Sequence, residues 1–123
     1  MDIKRLKNSF RYAWVGLKDN YEKEQNFRIQ LLIGFLVLTL ALVLNLNWLK
    51  LFALLITIAM VLSLEMMNSA LERYIDILSP SKDKTIGLVK DVLAGAVLVA
   101  AIVSVIIGLV VFYQPMRDLF VLF

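Results

Sequence analysis

The sequence contains no cysteine and no histidine. Disulfide scaffolds, thiolate zinc sites, Ser-His-Asp triads and Cys-His pairs are therefore excluded. Any chemistry must rest on carboxylates, amides, hydroxyls, lysine or arginine. Glycine is scarce as well. Gly16, Gly34, Gly87, Gly95 and Gly108 stand far apart, so there is no Gly-rich phosphate loop of the Walker A kind. A nucleotide, if bound, has to be held by side chains and metal. The N-terminal stretch stays charged and amphipathic well past residue 20, so no cleavable signal peptide is expected. No internal repeat or low-complexity stretch is present.

What the chain has instead is apolar residues, 61% of its 123. Soluble domains carry roughly 45–50%. A chain this short cannot hide so much apolar surface within itself, so the missing burial must come from lipid. The length leaves room for one domain, residues 1–123. The formal net charge of +3 points to topology and anionic headgroups, not to nucleic acid.

Residues 4–26 read as an amphipathic helix. Leu6, Phe10, Ala13, Trp14 and Leu17 form one apolar stripe, with Lys4, Arg5, Lys7, Arg11 and Lys18 elsewhere. Such a helix lies in the membrane interface or packs on the bundle, and both can hold together. Residues 29–46 form an uncharged run of 18, long enough at about 27 Å for one span. A return span covers 48–71, opening on the interface-suited Trp48, with Lys50 close enough to the surface to snorkel. Ser79-Pro80-Ser81-Lys82-Asp83-Lys84 is a polar loop in which Pro80 stops the preceding helix. A third span covers 92–113, where Ala94, Gly95, Ala96 and Ala100 suit close helix packing. The expected fold is an all-α membrane protein with an N-terminal interfacial helix and three transmembrane helices. Eleven basic residues flank the N-terminus and the second loop, against Lys50 and Arg117 on the other side. The N-terminus and second loop are therefore expected in the cytoplasm.

The second span does not end cleanly. With Glu65 at 0° and roughly 100° per residue, Asn68 falls near 300°, Glu72 near 340° and Asp76 near 20°. Three carboxylates and an amide share one face. About 20 residues from Trp48 exhaust the hydrocarbon near Met67 or Asn68. Glu65 thus lies just inside the apolar layer, where a bare carboxylate costs about 2.5–3.5 kcal/mol on the insertion scale. A carboxylate there is paired, neutralised or functional, and a general base is the functional reading. The plainer reading pairs Glu65 with a lysine, or bonds it to Asn68 or Ser69 across helices.

Glu22 and Glu24 precede the first span, and Lys90-Asp91 opens the third, all at the same depth. Carboxylates gathered at one point repel unless a cation intervenes, and oxygen ligands favour a hard ion such as Mg²⁺. Lys90 would then neutralise a phosphate. In the plainer reading Glu22 and Glu24 are solvated, Lys90 serves topology and Asp91 starts a helix.

These residues resemble a known family. Glu65-Met66-Met67-Asn68-Ser69-Ala70-Leu71-Glu72, then Asp76, then Lys90-Asp91 with Ala94-Gly95-Ala96-Val97-Leu98, look like the signature of the bacterial diacylglycerol kinase and undecaprenol kinase family. Arg5, Tyr12, Ala13, Trp14, Gly16, Glu24 and Asn26-Phe27-Arg28 fit it too, over about residues 5–112. The resemblance implies a homotrimer in the bacterial inner membrane, with active sites shared between subunits at the cytoplasmic surface. It implies ATP as co-substrate, a divalent cation such as Mg²⁺, and a membrane lipid as acceptor. Glu65 corresponds to the catalytic base, and Asn68 shapes the site beside it. Glu24 and Glu72 correspond to the metal ligands within the nucleotide site. Arg5, Tyr12, Lys90 and Asp91 correspond to ATP contacts, with Ser81, Lys82 and Asp83 near the nucleotide. Asp76 belongs to the same polar face. Glu24-x-Asn26-Phe27-Arg28-Ile29 and Asp76-Ile77-x-Ser79-Pro80 look more like the undecaprenol branch than the diacylglycerol branch, although Gln30 departs from the His expected in many of that branch.

Two rivals follow. One is a diacylglycerol kinase making phosphatidic acid. The other is a small non-enzymatic transporter or channel subunit with Glu65 as its ionisable site. A transport carboxylate belongs near the midplane and open to both sides, whereas Glu65 lies near one face.

Overall fold

A computed structural model describes residues 1–81 and 83–123. Four helices follow in order: α1 (Ile3–Lys23), α2 (Gln25–Val43), α3 (Trp48–Leu78) and α4 (Lys84–Val121). The last three are each long and apolar enough to cross a membrane. The all-helical architecture with three spans is as the sequence implies.

Asp2 starts α1 by accepting the backbone N–H of Arg5 at 3.2 Å. Phe10 and Trp14 of its apolar stripe are exposed, and Asn20 is its one buried residue. The stripe is therefore not spent on the bundle and remains available to lipid. The helix expected over 4–26 breaks at Glu24, whose backbone is extended (φ −108°, ψ 108°). The break is held by a side chain. Arg28 Nη1 donates to the carbonyls of Tyr21 at 2.8 Å and Glu22 at 2.9 Å, satisfying acceptors that a helix end leaves open.

The turn from α2 to α3 is a tight one. Asn45 takes the left-handed conformation (φ 52°), which asparagine tolerates better than most residues. Asn45 N–H reaches Leu42 O and Leu46 N–H reaches Ala41 O, both at 3.1 Å. These are the two bonds of a Schellman C-cap. Asn47 then caps α3, accepting from Lys50 N–H at 2.9 Å. Leu46 and Ala41 join Leu54 and Val111 in the main apolar cluster, which ties the turn to α3 and α4.

α3 packs against both α2 and α4. The approach of α2 is set by Gly34, which is buried and faces Ile58; a Cβ there would meet Ile58 Cγ2 at 2.8 Å. Only 17% of the most apolar stretch of α2 is buried, and 11% in α3 and in α4. The rest of that surface needs lipid or another chain. Between α2, α3 and α4 runs an apolar groove of about 790 Å³, lined by Gln30, Gly34, Thr57, Val61, Ser104 and Phe112 among others. The Thr57 and Ser104 hydroxyls are spent on their own helices, on Leu54 O and Ala100 O.

α4 is longer than the expected 92–113 span. Its 38 residues extend about 57 Å, against a hydrocarbon core of about 30 Å. Asp83 accepts the Thr85 N–H at 3.4 Å and so begins the helix. The helix-start role considered for Asp91 thus belongs to Asp83, and Asp91 lies two turns inside. At the other end α4 continues through Pro115 to Val121.

Candidate active site

The polar face of α3 is graded in burial. Glu65 is 4% exposed, Asn68 9% and Ser69 3%. Glu72, two turns beyond Glu65, is half-buried, and Asp76 is exposed. The helical period keeps these side chains on one face, while the bundle shelters only its inner end.

Glu65 meets neither partner that a purely structural role suggests. Among the described residues no lysine or arginine pairs with it. Ser69 Oγ donates to the backbone carbonyl of Glu65 at 2.9 Å, not to its carboxylate. The cross-helix partner is Gln30 of α2, whose Nε2 lies 3.3 Å from Glu65 Oε2. Two acceptors nearby are left over. Gln30 Oε1 and Asn68 Oδ1 are buried without a hydrogen-bond partner among the described residues. Each orphan of this kind costs about 1–3 kcal/mol.

Toward the α3–α4 loop the site becomes ionic. Arg73 on α3 reaches Asp19 on α1 at 2.6 Å and Glu24 at 3.0 Å, and Lys23 also meets Asp19 at 2.7 Å. Asp19 lies about one-third exposed. The Lys23 hydrogen bond, then that of Arg73, holds its carboxyl below the ordinary value. Lys90 of α4 pairs with Asp76 of α3. Glu24 is thus neutralised by Arg73 and Lys90 by Asp76.

Not every residue singled out in the sequence is drawn into this region. Arg5 and Tyr12 are exposed on α1. Seven residues separate them, which returns nearly to the same face of a helix. Neither makes a side-chain bond to another helix among the described residues. Ser81 contacts Ser79, Oγ to Oγ, at 3.4 Å. Asp83 is the α4 cap and Asp91 is exposed. Lys82 lies outside the described residues. Among the described residues no three carboxylates converge on one point. The donors at Glu24 and Glu72 are carboxylate oxygens, the kind Mg²⁺ takes, and Mg²⁺ ordinarily uses only one or two of them alongside phosphate and water.

The sequence reading gave no site role to Arg73, Asp19 or Gln30, noting Gln30 only as a departure from the branch pattern. Asp19 and Lys23 carry a faint signal as an i, i+4 pair. Gln30 carries another, as the one amide in an otherwise apolar stretch of α2. Their partners are tertiary and unreadable from spacing.

Comparison with known proteins matches residues 11–112 to the prokaryotic diacylglycerol kinase family. A diacylglycerol kinase of Synechocystis is 39% identical over 114 residues, covering 92% of this chain. This chain spans 65% of that relative's length. An undecaprenol kinase of Bacillus subtilis is 30% identical over 111 residues, 90% of each chain. A diacylglycerol kinase of Escherichia coli K12 is 30% identical over 95 residues, covering 77% of this chain and 78% of the relative.

Proposed function

The chain belongs to the prokaryotic diacylglycerol kinase family, and on that premise we propose that it transfers the γ-phosphoryl group of ATP to the hydroxyl of a membrane lipid. The whole chain acts as one membrane-embedded kinase domain. The reading is carried by Glu65: a carboxylate 4% exposed, with no lysine or arginine paired to it among the described residues. It stands on an α3 face that continues through Asn68 and Glu72 to the exposed Asp76. A lipid hydroxyl lies at the depth where that face turns from apolar to aqueous.

Glu65 accepts the hydroxyl proton as the alcohol oxygen attacks the γ-phosphorus. The new O–P bond forms while the bond to the β-phosphate oxygen breaks, and ADP leaves. Such a transfer needs mainly positioning and charge neutralisation, which suits a site without histidine or cysteine. Lys90, paired with Asp76 here, would exchange that carboxylate for the phosphates and bring them positive charge. Arg5 and Tyr12 contribute from α1, with Asp91 and the Ser81–Asp83 segment bordering the nucleotide. Glu24 and Glu72 would hold Mg²⁺, which when bound neutralises phosphate charge.

The assembly we propose is a homotrimer with shared sites. Its support is the apolar surface that α2, α3 and α4 leave uncovered, and an α1 whose Arg5 and Tyr12 make no side-chain bond to another helix among the described residues, the Tyr12 ring meeting only its neighbour Arg11. The protein is a multi-pass membrane protein, with the N-terminus and the α3–α4 loop on the cytoplasmic side. That orientation rests on the eleven-to-two distribution of basic residues.

For the acceptor we favour undecaprenol over diacylglycerol, on the Glu24–Ile29 and Asp76–Pro80 segments. Relatives named for each lipid exist, so the choice needs a direct test. Purified protein with radiolabelled ATP and Mg²⁺ should label undecaprenol in preference to diacylglycerol. Label entering only phosphatidic acid would reverse the lipid assignment. ATP left unconsumed with both lipids would remove the kinase reading altogether.

A further inference from the structure

We infer that Gln30 is a positioning residue for phosphoryl transfer: its side-chain amide fixes which oxygen of Glu65 receives the proton of the acceptor alcohol. The inference rests on the lipid-kinase reading with Glu65 as base, and it deepens that reading by adding a residue from a different helix.

Gln30 and Glu65 are 35 positions apart, and theirs is the one side-chain hydrogen bond joining α2 to α3 among the described residues. The contact is made possible one turn further along α2, where Gly34 lets the backbone close on Ile58. The orientation of the amide follows from chemistry. An ionised carboxylate only accepts, so the NH₂ end of Gln30 must face it and the carbonyl end must turn away. That carbonyl, Oε1, is buried and has no partner among the described residues.

The arrangement leaves Glu65 with one oxygen engaged and one open. Oε2 is held by Gln30 Nε2 at 3.3 Å, and no other side-chain donor reaches the carboxylate among the described residues. A lysine or arginine at position 30 would also orient Glu65, but its charge would pair with the carboxylate and weaken it as a base. A neutral amide at a rather long distance steers the group and leaves its charge in place. Asn68 Oδ1, another buried acceptor without a donor, lies one turn along the same α3 face.

The test is Gln30→Met, which keeps the length of the side chain and removes the donor. Wild type, Gln30→Met, Gln30→Leu and Glu65→Gln are assayed side by side with Mg·ATP and undecaprenol, and again with diacylglycerol. Loss of the positioning bond should lower kcat by up to about 100-fold on whichever lipid the wild type uses. The KM for ATP should stay within twofold, because Gln30 takes no part in the ion pairs of Asp19, Glu24, Arg73 and Lys90. A general loosening of the fold would move KM and kcat together. If Gln30→Met does not fold, Gln30→Leu carries the comparison, and helicity by circular dichroism identifies which variant is intact. A folded variant with kcat within twofold of wild type, or with its loss confined to the KM for ATP, overturns the inference while an inactive Glu65→Gln keeps the kinase reading. An active Glu65→Gln overturns the reading beneath both.

Discussion

Arg73 on α3 grips Asp19 on α1 at 2.6 Å, and with its other nitrogen it holds Glu24 at the junction of α1 and α2. One guanidinium thus decides where the interfacial helix sits relative to the acidic face. An isolated surface pair contributes little, but a fork with two carboxylates on separate segments fixes an angle as well as a distance.

Replacing Arg73 with alanine should therefore act on nucleotide binding before chemistry. α1 carries Arg5 and Tyr12, and a loosened α1 presents them poorly. We expect the KM for ATP to rise about three- to tenfold, in keeping with the modest strength of half-exposed pairs, with a smaller change in kcat. Steady-state kinetics at varied ATP measures this directly. A kcat loss with unchanged KM would assign Arg73 to the transfer step instead.

Acid should loosen the same junction. The Asp19 carboxyl is held below its ordinary value of 3.8 by Lys23 and then Arg73. A depressed carboxylate contributes its stabilisation in full above the unfolded value and loses it as pH falls through the folded value. The docking of α1 should thus be unchanged on going down to about pH 4 and weaken below 3.8. Trp14 emission in a Trp48→Phe background reports it, and Asp19→Asn should flatten the acid limb. A transition above pH 5 would point to a different group.

At Gly34 the expected effect is steric. A methyl group there would come 2.8 Å from Ile58 Cγ2, and overpacking of this kind costs about 1–3 kcal/mol. Gly34→Ala should lower the thermal midpoint in detergent and also reduce activity, because α2 carries Gln30. Adding Ile58→Ala should recover part of both. Failure of the second change to restore anything would mean that the clash is relieved elsewhere.

Glu65→Gln separates base chemistry from structure. The amide is nearly isosteric, so helix content and thermal midpoint should stay close to wild type, while lipid phosphorylation falls roughly 10²–10⁴-fold. Circular dichroism and the radiolabel assay on one preparation give both numbers. Activity within a few-fold of wild type would remove Glu65 from the reaction.

The features legible in the sequence were those with a period or a length. The uncharged run from Ile29 to Leu46 had to be a span, and the spacing of Glu65, Asn68, Glu72 and Asp76 had to give one face. Features set by a distant partner were hidden. Nothing near Glu24 is a glycine or proline, so the amphipathic pattern reads straight through a break that Arg28 caps from the next helix. The start of α4 at Lys84 escaped for a different reason. Hydropathy marks where lipid begins, and Asp83 caps the helix before that point is reached. Arg73 follows Glu72 directly and reads as one more positive-inside charge until α1 is packed against it.

The Asn45 turn bears on biogenesis. Leu44, Asn45, Leu46 and Asn47 are uncharged, and both backbone bonds of the cap stay within the turn. The two flanking helices can therefore enter the bilayer together as a closed hairpin, with Lys50 the basic residue nearest its tip. Lengthening that connection would uncouple their insertion without touching a single residue of the acidic face.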